Sequence, residues 1–180
     1  MLVHYQAITA ADLAADVEAL GEEPSLRCSG CELVAAQLYG GLSGKLAKGF
    51  KKLSAEQREQ QVMASLTKSC QGISNIQVAQ VGEKGSRDRK YGDFNELMNQ
   101  GGTLSEVSIG KHGEVLVALC NRLVSESGKE LVQRMSASVK RKGGRLLDFK
   151  MKENVCVEML GACERTSNDD DDDDDDDREL

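Results

Sequence analysis

The sequence has no tryptophan, a single proline (Pro24) and only 3% aromatic residues among 180 positions. A core must therefore be assembled from Leu, Val, Ile, Ala and Met, a composition that suits packed helices. The stacking platforms of a nucleic-acid-binding surface are missing, and basic residues are scattered. No stretch approaches the roughly 18 to 20 consecutive apolar residues of a membrane-spanning helix. The only histidines are His4 and His112; neither adjoins a nucleophile, so a hydrolase triad lacks its base. The opening Met1-Leu2-Val3-His4-Tyr5 runs into a polar, alanine-rich segment instead of a basic start and an apolar run, so no secretory leader is read in this chain. Nor is the body acidic. The formal charge of −7 becomes +2 once nine consecutive aspartates near the C-terminus are set aside, so the acidity belongs to a tail.

What is present is enough for one core. With 39% hydrophobic positions the chain divides into an N-terminal segment and linker (residues 1–25), one compact domain (26–165) and an acidic tail (166–180). Leu13, Val17 and Leu20 predict a short, weakly amphipathic helix, ended by Gly21 and Pro24. From Cys31 the positions Val34, Leu38, Leu42, Leu46 and Phe50 recur at helical spacing, weakened or bent at Gly40, Gly41 and Gly44. Ser54 and Gln57 form a capping box ahead of Val62, Met63, Leu66, Cys70 and Ile73. A further helix carries Leu116, Cys120, Leu123, Val124, Leu131 and Met135. Val139, Leu146, Leu147 and Met151 suggest another, interrupted at Gly143 and Gly144. Between residues 74 and 113 the period changes: Ile76 and Val78 alternate, as do Val107 and Ile109, around a polar, glycine-rich middle at 82–102. A short hairpin or insertion loop fits that pattern.

Six cysteines, Cys28, Cys31, Cys70, Cys120, Cys156 and Cys163, allow fifteen pairings, and arithmetic cannot choose among them. Their placement narrows the choice. Cys28 and Cys31 lie one turn apart at a helix start, Cys156 and Cys163 near the end of the last helix, and Cys70 and Cys120 in the middle. If the helices fold as two hairpins laid on each other, a nested scheme results: Cys28 with Cys163, Cys31 with Cys156, Cys70 with Cys120. The competing reading is six buried free thiols.

The stretch Leu26-Arg27-Cys28-Ser29-Gly30-Cys31-Glu32-Leu33-Val34 resembles the first helix of the Canopy family. Residues 116–135, with Leu119-Cys120-Asn121-Arg122-Leu123-Val124 and Glu130-Leu131-Val132, resemble a later helix of that family, and the spacing of Cys156 and Cys163 resembles its closing pair. The likeness frames residues 26–165, is dense around the cysteines and is poor across 74–112. It implies an all-α, saposin-like domain of four to five helices, stapled by disulfides, with a short loop or hairpin insertion. It also implies an accessory protein of the endoplasmic reticulum lumen that assists folding or trafficking of secreted and membrane proteins. Its partners would be secretory clients, an ER chaperone and a retrieval receptor, without catalysis or cofactor.

The chain ends in Asp177-Arg178-Glu179-Leu180, which shares its terminal Glu-Leu with the Lys-Asp-Glu-Leu type of retrieval signal. The carboxylates of Asp169, Asp170, Asp171, Asp172, Asp173, Asp174, Asp175, Asp176 and Asp177 could hold Ca2+ weakly, but no glycine-punctuated loop fixes a coordination geometry. A solvated, disordered tail that maintains solubility explains them equally well.

Cys28-Ser29-Gly30-Cys31 has the spacing of thiol oxidoreductases, but the strand-helix-strand frame of a thioredoxin fold is missing. Zinc is disfavoured because Cys156 and Cys163 lack ligand spacing. Gly40-Gly41-Leu42-Ser43-Gly44-Lys45 fails as a phosphate loop, since Tyr39 and Leu46 occupy required positions. A saposin-type lipid-binding module remains an alternative, favoured by the basic cluster Lys45, Lys48, Lys51 and Lys52. For an adaptor, the expected contact region is residues 87–99, where Lys90, Tyr91, Phe94, Leu97 and Met98 combine charge with apolar groups. The same residues would also suit a minor helix packed on the core.

Overall fold

The computed structural model describes residues 10–46, 54–73, 76–81, 88–99, 103–106, 111–141 and 148–165. In chain order the elements are α1 (Ala10–Glu18), α2 (Pro24–Leu46), α3 (Ala55–Cys70), β1 (Ile76–Gln80), β2 (Arg89–Asp93), α4 (Phe94–Asn99), β3 (Thr103–Glu106), α5 (Lys111–Arg141) and α6 (Asp148–Lys152). The last runs directly into a π-helical segment, Glu153–Met159. The result is a mostly helical domain stapled by three disulfides.

Helix α2 is the centre of the body, packed against α3, α5, α6 and β2. It starts at Pro24, whose fixed φ and missing N–H suit a first helical position, so the proline expected in a linker instead opens the helix. Its apolar positions Val34, Leu38 and Leu42 are fully buried, as their spacing requires. The helix runs through Gly40, Gly41 and Gly44 without ending. The Gly41 carbonyl instead accepts a hydrogen bond from Ser65 Oγ of α3 at 3.0 Å.

Helix α3 begins with the expected capping box: Gln57 N–H donates to Ser54 Oγ, and Ser54 N–H to Gln57 Oε1. Two backbone donors that no helical carbonyl can reach are thereby satisfied. Val62, Leu66 and Cys70 then face the core, as do Leu116, Leu119, Cys120, Leu123, Leu131 and Met135 of α5. Helix α5 is 31 residues long and takes in Val139, which the sequence suggested for a separate helix. Of that helix's other positions, Leu146 and Leu147 fall outside the described residues, and Met151 is buried in the short α6.

Two expectations need correction. The N-terminal segment is more than a linker: Val17 and Leu20 join the core, and Asp16 of α1 pairs with Arg122 of α5. The insertion is more than a loop or hairpin, and the fold is not purely helical. It holds a three-stranded antiparallel sheet in the order β2-β1-β3, with Val78 opposite Tyr91 and Ala79 opposite Leu104. The stretch read as a polar middle supplies β2 and α4. Of the alternating pair Val107 and Ile109, both lie outside the described residues.

Candidate functional site

Two features stand out on this body: a double clasp at the chain ends, and a polar-anchored ledge formed by β2 and α4. In the clasp, Cys28 bonds to Cys163 and Cys31 to Cys156, with Cα atoms 4.6 and 5.7 Å apart. Cys70 bonds to Cys120 at the base of the insertion, with Cα atoms 5.5 Å apart. Cys28 and Cys31, one turn apart on α2, thus take different partners, and the Cys-x-x-Cys disulfide of an oxidoreductase is not formed.

The far side of the clasp depends on an irregular chain path. In the π-helical segment the Leu160 N–H reaches back five residues to the Val155 carbonyl at 3.0 Å. Gly161 then adopts φ 59°, a left-handed conformation that glycine takes without a Cβ penalty. The reversal folds the chain back so that Ala162 and Cys163 both donate to the Cys156 carbonyl, at 2.8 and 3.0 Å. Cys163 thereby comes to the N-terminal part of α2.

The two bridges of the clasp differ in depth. Cys31 and Cys156 are 0% and 1% exposed, and Cys70 and Cys120 are both fully buried. Cys28 and Cys163 are only half-buried. Exposed Glu32 follows Cys28 by one helical turn, and its carboxylate and the two outer sulfurs all lie within 4.8 Å of one another. Sequence reasoning missed Glu32, although a Cys and a Glu at i and i+4 of a helix share one face.

The ledge is held by specific polar contacts. Tyr91 O–H donates to the Leu20 carbonyl at 2.6 Å, and Tyr91 N–H donates to Ser29 Oγ at 3.0 Å. Ser29 lies between the two clasp cysteines of α2, so sheet and clasp share one helix turn. Gly30 makes that approach possible: a Cβ there would come within 3.1 to 3.2 Å of the Tyr91 ring and Leu20. His112 lies in the first turn of α5, half-buried, edge-on to Tyr91 with ring centroids 5.7 Å apart. At the rim, Arg89 Nε donates to Glu23 Oε1 at 2.9 Å. That bond and the guanidinium charge hold the Glu23 carboxyl below its ordinary 4.5.

The expected contact region therefore divides. Tyr91 and Leu97 are buried, 8% and 3% exposed, and serve the fold: Tyr91 docks the sheet on α2, and Leu97 covers Gly92. Lys90 is exposed, Met98 half-buried, and Phe94 is 44% exposed, a large apolar group in water. Phe94 begins α4, which Asp93 caps by accepting from the N–H of Asn95 at 2.9 Å. The Ca2+ candidates at 169–177 and the retrieval-like end, Asp177, Arg178, Glu179 and Leu180, lie outside the described residues.

Among the described residues no cysteine is free and no helix is long and apolar enough to cross a membrane. Three disulfides are characteristic of an oxidising compartment, secreted or luminal. The class defined is thus a small, mostly helical domain of such a compartment, closed covalently at its ends. No family model matches this chain, and no curated protein or solved structure is significantly similar to it.

Proposed function

We propose that this is a Canopy-type, saposin-like protein of the endoplasmic reticulum lumen. In this reading it assists the folding or trafficking of secreted or membrane client proteins by surface contact, without bond chemistry of its own. The observation that carries the reading is the nested pairing of Cys28 with Cys163, Cys31 with Cys156 and Cys70 with Cys120, set on the helices whose sequence resembles that family. The division of Cys28 and Cys31 between two partners supports a structural clasp over a redox enzyme. The ledge of Lys90, Phe94 and Met98 supplies an apolar contact point with a charge beside it. The terminal Asp177-Arg178-Glu179-Leu180 is the address in this reading, and its receptor a further partner.

The test is delivery of a disulfide-rich receptor ectodomain to the surface of cells that lack this protein. Restoring the full chain raises delivery, and Phe94→Ala restores it less while remaining folded by circular dichroism. Removing the last four residues sends the protein into the medium. Flotation of the pure chain with anionic liposomes, with no effect on client delivery, would replace this reading by the lipid-binding alternative.

A further inference from the structure

Helix α1 is the one described helix outside the covalently closed part of the chain. It precedes Cys28, the first cysteine, so none of the three bridges holds it. Its seat on α5 and α2 has three parts. The first is apolar: Val17 and Leu20 are buried and Leu13 partly so, while Ala14, Ala15, Glu18 and Ala19 are exposed. The spacing of Leu13, Val17 and Leu20, i, i+4 and i+7, puts them on one helix face. Leu20 fits against Gly30 of α2, where a Cβ would come within 3.2 Å of its two methyl groups. The second part is a charge. Asp16, on the same face and only 19% exposed, pairs with Arg122 of α5. The third is a donor: Tyr91 O–H reaches the Leu20 carbonyl at 2.6 Å, beyond the last turn, where the helix itself supplies no partner.

Apolar room beside Gly30, a cation at the rim and a donor at the C-terminal end together select a short amphipathic helix. A strand, with its period of two, does not match the i, i+4, i+7 spacing. The connector at residues 19–23 keeps α1 near this seat at an effective concentration of about millimolar, so the groove is normally filled. Lifting α1 breaks no covalent bond. The segment gives only Val17 and Leu20 to the buried core, few enough for it to open locally while the bridged body stays folded.

We propose that the seat of α1 is a docking groove for an amphipathic helix of a partner protein, and that α1 is a built-in strap which the partner displaces. The partner helix carries apolar residues at i, i+4 and i+7 and a carboxylate at i+3, as Leu13, Val17, Leu20 and Asp16 do here. The inference goes beyond the client reading and does not rest on it. The α1 of a second copy fits the same seat, but such an exchange returns only the contacts that the strap already makes. A partner helix longer than α1 adds contacts and so outcompetes it. The occupied groove lowers the partner's apparent affinity by the fraction of chains that are open.

The experiment uses the full, oxidised chain and a fluorescein-labelled peptide of its residues 8–22, read by fluorescence anisotropy. Val17→Asp sets a charge on the buried face of the strap and lifts it; circular dichroism and non-reducing mass spectrometry check that the helices and the three bridges are kept. Asp16→Lys lifts the strap by repulsion from Arg122 and serves as a second release variant. Both variants are expected to bind the peptide about tenfold or more tightly than the unaltered chain. Adding Arg122→Asp to Val17→Asp weakens binding by about tenfold, and a peptide carrying Asp16→Arg regains it. Equal binding by released and unaltered chains, no binding by either release variant, or an affinity indifferent to the charge at Arg122 would each overturn the proposal. So would an unaltered chain that is a dimer by light scattering and becomes a monomer when the peptide is added, since the groove then belongs to a second copy.

Discussion

The helical body and the sheet insertion share one apolar core but are held by different balances of interaction. In the body, Leu38, Leu66, Leu119, Leu123 and Met135 are fully buried, and three covalent bridges tie the helical elements together. The insertion between Cys70 and Cys120 buries a few apolar groups of its own, Ile76, Val78 and Tyr91, and adds directional bonds: Tyr91 to Leu20 and to Ser29, and Arg89 to Glu23. Apolar burial is summed over many contacts and tolerates small errors, whereas a docking bond is lost with a single atom. The body should therefore fail globally when broken and the insertion locally.

The largest effect is expected from the inner bridge. Removing Cys31–Cys156 by paired Cys31→Ala and Cys156→Ala substitutions should cost about 5 kcal/mol: about 3 kcal/mol in loop closure, since the outer bridge still closes the chain, and the rest because two buried positions are emptied. The same paired change at Cys28 and Cys163 should cost about 3 kcal/mol or less, because the loop-closure loss is the same and the half-buried outer cysteines leave no buried cavity. Urea unfolding followed by circular dichroism measures both. Equal losses would remove the distinction between inner and outer clasp.

Next comes Leu119→Ala in α5, which is expected to cost about 2 to 5 kcal/mol through lost transfer energy and an unfilled cavity. Its effect should appear as one cooperative shift of the whole unfolding curve. Tyr91→Phe is smaller, about 1 to 2 kcal/mol, since it leaves the buried Leu20 carbonyl without its donor. Here hydrogen exchange should accelerate at Gln77 to Ala79 amides and the β2 amides while α3 and α5 stay protected. Uniform acceleration would mean that insertion and body are one cooperative unit.

The smallest effect is electrostatic and depends on pH. Arg89 depresses the folded pKa of Glu23, so the pair stabilises the fold fully above the ordinary carboxylate value of 4.5 and loses that contribution as pH falls through the depressed value. Arg89→Ala should therefore be mildly destabilising at neutral pH and neutral in acid, as read from urea midpoints. The pair is exposed, so salt should reduce the difference too.

The same contrast explains which parts of the fold were legible in the sequence. Leu116, Leu123 and Met135 recur with the period of a helix, and Ser54 with Gln57 announces a helix start; both signals are local. The sheet was harder. In β2, Arg89-Lys90-Tyr91-Gly92-Asp93 has one apolar side chain, and what makes it a strand is pairing with β1 and docking on Ser29, 62 residues away from Tyr91. No short window contains that information. Likewise Leu20 reads as the end of a weak helix, yet it is 1% exposed and its carbonyl anchors Tyr91. Of the site, the cysteine positions at helix ends were readable, while the reversal at Gly161 that brings Cys163 to Glu32 depends on an irregular segment with no sequence period.

The central claim is that the two ends of the chain are closed by a nested clasp. A peptide map of the native protein, digested without reduction and with free thiols blocked, tests it most directly. Three cross-linked fragments are expected, joining Cys28 to Cys163, Cys31 to Cys156 and Cys70 to Cys120. A Cys28–Cys31 disulfide, or six blocked thiols, would contradict it.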